Sequence, residues 1–141
     1  MKRLLFVTFV IVSLQVSAQK IDASKVPTIV KATFNKAFGQ ITNAKWMMEA
    51  KNYEAAFKQN GKNVSIVIDA KGMLLETETA IKISELPKAA ANYLSTHFNG
   101  KKIAETAVIK KANGEINYEA EVNKIDVIFD SNGKFLKEVK G

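Results

Sequence analysis

The chain has 141 residues, with 21 basic and 14 acidic side chains, one histidine, no cysteine and 47% hydrophobic residues. That length suits one domain or two very small ones, and a charged fraction of 25% is that of a folded rather than a disordered protein. Without cysteine there are no disulfides, thiolate metal sites or thiol nucleophiles, and a single histidine leaves little from which to build zinc or Ser–His chemistry.

Lys2 and Arg3 precede an apolar run from Leu4 to Leu14, and Val16-Ser17-Ala18 offers small residues where a signal peptidase reads them. Spanning a bilayer takes about 20 apolar residues and this run has about 11. Residues 1–18 therefore read as a signal peptide, with Gln19 as the new N-terminus. Its removal takes two basic and no acidic residues, so the net charge falls from +7 to +5. No later stretch approaches membrane length, which predicts a soluble periplasmic or secreted product. A mature chain of this size can bury enough apolar surface to stand without disulfides.

Next comes an internal repeat. Ser24-Lys25-Val26-Pro27 returns as Ser84-Glu85-Leu86-Pro87. Apolar or small residues then follow at Val26, Ile29, Val30, Thr33, Phe34, Ala37 and Phe38, and at Leu86, Ala89, Ala90, Tyr93, Leu94, His97 and Phe98. Both sets trace the stripe of an amphipathic helix. Each serine is placed to cap its helix, each proline to occupy the first turn, and Gly39 and Gly100 to end the helices in a left-handed conformation.

Strands are predicted behind each helix. The first falls around Ala44–Glu49, followed by an alternating run through Tyr53, Ala55 and Phe57, the hairpin turn Asn60-Gly61, and a run through Val64, Ile66 and Ile68. Asp69-Ala70-Lys71-Gly72 turns the chain into Met73 to Ile83. In the second copy the strands are Ile103–Lys111, Ile116–Val122, Ile125–Phe129 and Phe135–Val139, with Asp130-Ser131-Asn132-Gly133 before the last. Tyr53-Glu54-Ala55 matches Tyr118-Glu119-Ala120. The expected fold is α+β: one helix plus a four-stranded antiparallel meander, given twice, over residues 24–83 and 84–141. Each helix would cover one apolar sheet face and leave the other wet.

Little in this pattern carries chemistry. His97 lies in a helical stripe, with no nucleophile-elbow motif elsewhere to use it. Glu76 with Glu78, and Glu119 with Glu121, share strand faces, which a solvated face explains. Asp69-x-x-Gly72 and Asp130-x-x-Gly133 lack the further acids of a calcium loop and read as Asx turns. Catalytic, cofactor-binding and metal-ligating residues are therefore predicted to be absent. The basic groups left after signal cleavage are all lysine and are scattered, which argues against nucleic-acid binding. Trp46 alternates with Met47 and so belongs to the core or to a partner-binding hot spot. Val67 and Ile128 sit at matching positions on the nominally polar strand face. Trp46, Val67 and Ile128 are thus the candidate partner-binding residues.

These features together resemble one family of exported bacterial proteins: Val-Pro or Leu-Pro opening a helix, a tryptophan-bearing strand, Tyr-Glu-Ala, and Asp-x-x-Gly before the last strand. It is the PepSY-like family, also described as β-lactamase-inhibitor-like. The resemblance implies tandem α+β units whose sheets join into one curved platform, and a concave face that grips a partner such as a protease or hydrolase. The expectation is a periplasmic binding module for a protein or peptide, acting as an inhibitor and not as an enzyme. The competing reading is a structural or stress-related envelope protein that binds a small or polymeric ligand in a cleft between the units.

Overall fold

A computed structural model describes residues 18–140; the predicted signal segment lies, but for Ala18, outside the described residues. From Gln19 onward the chain forms one nine-stranded antiparallel sheet in which every strand pairs with its neighbours in sequence, from β1 to β9. The strands are β1 (Gln19–Ile21), β2 (Lys45–Glu49), β3 (Asn52–Gln59), β4 (Lys62–Ile68), β5 (Leu74–Ala80), β6 (Ile103–Lys111), β7 (Ile116–Val122), β8 (Ile125–Phe129) and β9 (Phe135–Lys140). Two helices interrupt the meander, α1 (Thr28–Phe38) before β2 and α2 (Lys88–His97) before β6. The strand β1 was not predicted; it pairs Ile21 with Trp46 and extends the sheet by one edge.

Both helices lie on the same kind of surface. On α1, Val30 and Phe34 are buried with Val26 against Trp46, Ala55, Phe57, Val64, Ile66 and Ile68. On α2, Ala90 and Leu94 are buried with Leu86 against Ala120, Val122, Val127 and Phe129. Ala55 and Ala120, the last residues of the two Tyr-Glu-Ala motifs, are fully buried under these helices. A small side chain there lets helix and sheet backbones come close, while the flanking aromatic and branched residues fill the space around it. The Phe34 ring meets Trp46 and Phe57 edge-on, with centroids 5.2 and 5.5 Å away.

The helix starts differ from the sequence expectation. Ser24 and Ser84 lie inside short 3-10 turns, Ala23–Lys25 and Ile83–Glu85, and do not cap α1 or α2. Pro27 and Pro87 occupy the cap positions themselves, without a side-chain hydrogen bond. The reason is local: proline disfavours helical backbone in the preceding residue, and Val26 and Leu86 are extended, with ψ of 129° and 145°. The chain therefore breaks between the serine turn and the helix. At the other ends, Gly100 is left-handed with φ +72°, but Gly39 closes α1 with φ −58° and is not.

The two Asp-x-x-Gly turns lock sheet to helix. Asp69 Oδ1 accepts from the Lys71 and Met73 N–H groups, and Asp130 Oδ1 from those of Asn132 and Lys134, all at 2.9 Å. Gly72 and Gly133 have φ of +85° and +84°. A β-carbon on Gly133 would stand 2.7 Å from Pro87 Cβ and 2.8 Å from the Ala90 nitrogen, so only glycine lets this turn touch the start of α2. In the first half, Thr33 Oγ1 also donates to the Gly72 carbonyl at 2.6 Å.

Candidate functional site

The side of the sheet away from the helices is uncovered, and register decides what stands there. One row across the strands reads Lys45, Ala56, Ser65, Glu78, Ile109 and Asn117. A second pairs Ala80 with Ala107, Ala107 with Glu119, Glu119 with Ile128 and Ile128 with Lys137. A third sets Glu105 opposite Glu121 and Glu121 opposite Asp126. Glu54, opposite Val67, which is itself opposite Glu76, completes the surface on the first half.

Across the middle of this face runs a trough of about 1080 Å³. Its lining includes Glu54, Ser65, Glu78, Ala107 and Glu119, and it reaches the linker between β5 and α2 at Ile81–Ser84. That linker is tied to β6 at Thr106, whose Oγ1 donates to the Ile81 carbonyl at 2.7 Å. The register of β6 against β7 shifts between Ile103 and Glu105, and that of β4 against β5 between Val67 and Ile68. Irregularities of this kind bend strands and add twist.

The trough is lined by four glutamates, Glu54, Glu78, Glu105 and Glu119, and three lysines, Lys45, Lys58 and Lys82, and its carboxyls perturb one another. Burial, then the charges of Glu78, Asp126, Glu121 and Glu105, pushes the Glu119 carboxyl up to about 8. Burial, then Glu54, Asp126, Glu105 and Glu76, raises Glu78 to about 6. Glu54 and Asp126 are also raised, each chiefly by burial. The cross-strand neighbours explain the burial: Glu119 stands between Ala107 and Ile128, and Glu78 between Ser65 and Ile109. Ile109 and Ile128 are themselves only 8% exposed although no helix covers them. Apolar neighbours withdraw water from the carboxylates, and like charges across the strands add to the cost of ionising them.

The three predicted partner-binding residues separate. Trp46 is 5% exposed and lies on the helix-covered face, so it belongs to the core and is unavailable to a partner on the open face. Alternation alone placed it opposite Met47; the packing of Phe34 selected the covered side. Val67 and Ile128 do stand on the open face, directly across from Glu54 and Glu119. His97 is exposed at the end of α2, with its ring stacked 3.8 Å from that of Tyr93 and its Nδ1 3.0 Å from the Tyr93 carbonyl. Among the described residues no group of three or more acids and histidines is arranged to hold a metal ion.

What sequence reasoning missed is the concentration of acid. In the sequence, Glu76, Glu78, Glu119 and Glu121 have the pattern of ordinary solvated positions. The signal lay in the repeated Tyr-Glu-Ala motif: with its alanine under a helix, its glutamate must face the other way, which sends Glu54 and Glu119 from the two halves onto one open surface.

This chain belongs to the family described as "Putative beta-lactamase-inhibitor-like, PepSY-like", which matches residues 13–76 and 51–137. The two matches overlap over residues 51–76 and do not coincide with the helix-first division of the sequence. Among solved structures, a DUF2874 family protein from Bacteroides uniformis is similar, at 17% identity and a TM-score of 0.71, over 80% of this chain and 88% of that one. A protein from Bacteroides eggerthii described as periplasmic gives 16% identity and a TM-score of 0.73, over 81% and 88%. A BLIP-like protein from Bacteroides fragilis gives 23% identity and a TM-score of 0.61, over 80% and 84%. At these identities the likeness is one of fold. None of the curated proteins matches the chain. No helix among the described residues is long and apolar enough to cross a membrane.

Proposed function

We propose that this protein is an exported, periplasmic binding module that holds a protein or peptide on its uncovered sheet face, as an inhibitor and without catalysis of its own. The observation that carries the reading is the trough: a recess of about 1080 Å³ on the one sheet face that no helix covers, lined from both halves of the chain. Two apolar residues without a helical cover, Ile109 and Ile128, stand next to its Glu78 and Glu119 across the strands. Export is supported by the N-terminal segment of the sequence and by the periplasmic description of the Bacteroides eggerthii relative. We read residues 24–83 and 84–141 as two copies of one unit, each ending its own Asp-x-x-Gly turn against its own helix. The inhibitor role rests on the family description and on the BLIP-like relative.

The test is site-directed photo-crosslinking of the mature protein in its own envelope fraction. A photoreactive residue at Ser65, inside the trough, should trap one protein in stoichiometric yield; the same residue at Lys31, on α1, should not. An Ala80→Arg substitution, which fills the trough, should abolish the Ser65 adduct. Equal adducts from both positions, or none from Ser65, would refute the reading.

A further inference from the structure

The open face sets like charges against one another. Glu105, Glu121 and Asp126 stand directly opposite one another across β6, β7 and β8, an arrangement of like charges that destabilises a sheet. The chain has 20 lysines, yet the one ion pair among the described residues is Lys111–Glu115, at 3.1 Å and away from these acids. Lys45 and Lys58 line the trough on the β2–β3 side, and Lys82 in the linker to α2; none makes an ion pair with the acids. Glu78, Glu105, Glu119, Glu121 and Asp126 thus gather on the β5–β8 side of the open face, while the lysines of the trough stand on its β2–β3 side and in the linker.

Size and shape narrow the ligand. The acids from Glu78 on β5 to Asp126 on β8 are three strand spacings apart, about 14 Å at ~4.8 Å each. About four residues of extended polypeptide cover that distance. The floor is made of small side chains, Ala56, Ala80 and Ala107, over which a backbone can lie close. At about 1080 Å³ the trough lies just above the range that small molecules fill.

Building on the open-face reading above, we propose that the trough receives an extended polypeptide segment bearing lysine or arginine, its cationic side chains set against Glu78, Glu119 and the Glu105–Glu121–Asp126 row. The segment supplies countercharge on the β5–β8 side, where the lining of the trough has no lysine. Because a bound cation favours the ionised carboxyls, binding releases protons from Glu119 and tightens as pH rises from 6 to 8.5.

The mature protein is titrated with hexalysine, hexaglutamate and spermine at low salt, with binding read from backbone amide shifts. Hexalysine should shift amides of β3 to β8 around the trough, bind at least tenfold more tightly than the other two, and weaken with added salt. The Glu78→Gln/Glu119→Gln double variant, which loses repulsion and so folds at least as well, should bind hexalysine about tenfold more weakly. Absence of hexalysine binding, or unchanged binding by the double variant, overturns the proposal. Spermine binding as tightly as hexalysine overturns it in favour of a small polycation. Trough shifts with hexaglutamate instead would sink the cationic assignment and leave the open-face reading standing. Hexalysine shifts confined to the helix face or to β9 would sink the proposal and leave the open-face reading to the crosslinking test.

Discussion

Replacing Glu119 by glutamine should make the protein more stable at alkaline pH and leave it unchanged in acid. The carboxyl titrates at about 8 in the folded chain against an ordinary value of 4.5, so the folded state binds this proton more tightly than the unfolded one. Its stabilising effect is complete below pH 4.5 and is lost as pH climbs through 8. Glu78 acts in the same direction over a narrower window, from 4.5 to about 6. Taken at face value, the interval for Glu119 corresponds to about 5 kcal/mol. The side chain is only half-buried and its acidic neighbours are partly wet, so screening reduces the net effect to about 1–2 kcal/mol. Urea denaturation of wild type and Glu119→Gln at pH 4.5 and 8.5 measures it directly. The two proteins should agree at pH 4.5, and at pH 8.5 the variant should be the more stable by that amount, with its midpoint raised and its m-value unchanged. Comparing the two at each pH cancels the titration of the groups that Glu119 does not perturb. A variant whose stability follows the same pH dependence as wild type would show that Glu119 is neither desolvated nor crowded by Glu78, Glu121 and Asp126. The account of the trough's carboxyls would then fail.

Three further outcomes follow from the packing. Gly133→Ala should cost about 2–4 kcal/mol, because it combines a left-handed backbone with a clash against the start of α2; Gly61→Ala, with nothing within 4 Å of the added carbon, should cost only about 1 kcal/mol, and thermal unfolding of the pair separates the two effects. Phe34→Ala should cost about 3–5 kcal/mol by leaving a cavity between Trp46 and Phe57, measured by chemical denaturation; a loss under about 1 kcal/mol would mean that α1 is not seated as described. The emission of Trp46, the single tryptophan, should be blue-shifted in the native protein and insensitive to a ligand in the trough, since its side chain lies on the covered face. A quenching response to such a ligand would place the ligand on the wrong side of the sheet.

Much of the architecture was legible because it is written in short-range patterns. The apolar stripe through Val30 and Phe34 and its copy through Ala90 and Leu94 name two helices, and Asn60-Gly61 and the Asp-x-x-Gly turns mark the hairpins that fold back strands of period two. Where the reading failed, the competing effect was also local but quantitatively finer. Proline excluded helical backbone from Val26 and Leu86 and so displaced the serine caps. The strand β1 is three residues long, too short to show a period, and exists because Lys45–Glu49 offers it an edge.

The candidate site belongs to a different level. From the sequence alone Glu105, Glu121 and Asp126 are three acids at unremarkable spacings, and Trp46 can face either way. The sequence determines that there are two faces, that the faces alternate, and that the helical stripes need one of them. Only the tertiary structure decides which residues from distant strands become neighbours across that sheet. Pairing register is set by the sum of all the turns and by the burial of Ala55 and Ala120 under the helices, and a one-residue slip would exchange the faces. Charge repulsion and desolvation depend on distances of a few ångströms between residues far apart in the chain. The trough, with Glu78 and Glu119 drawn together from its two halves, is therefore a property of the folded sheet and of no segment within it.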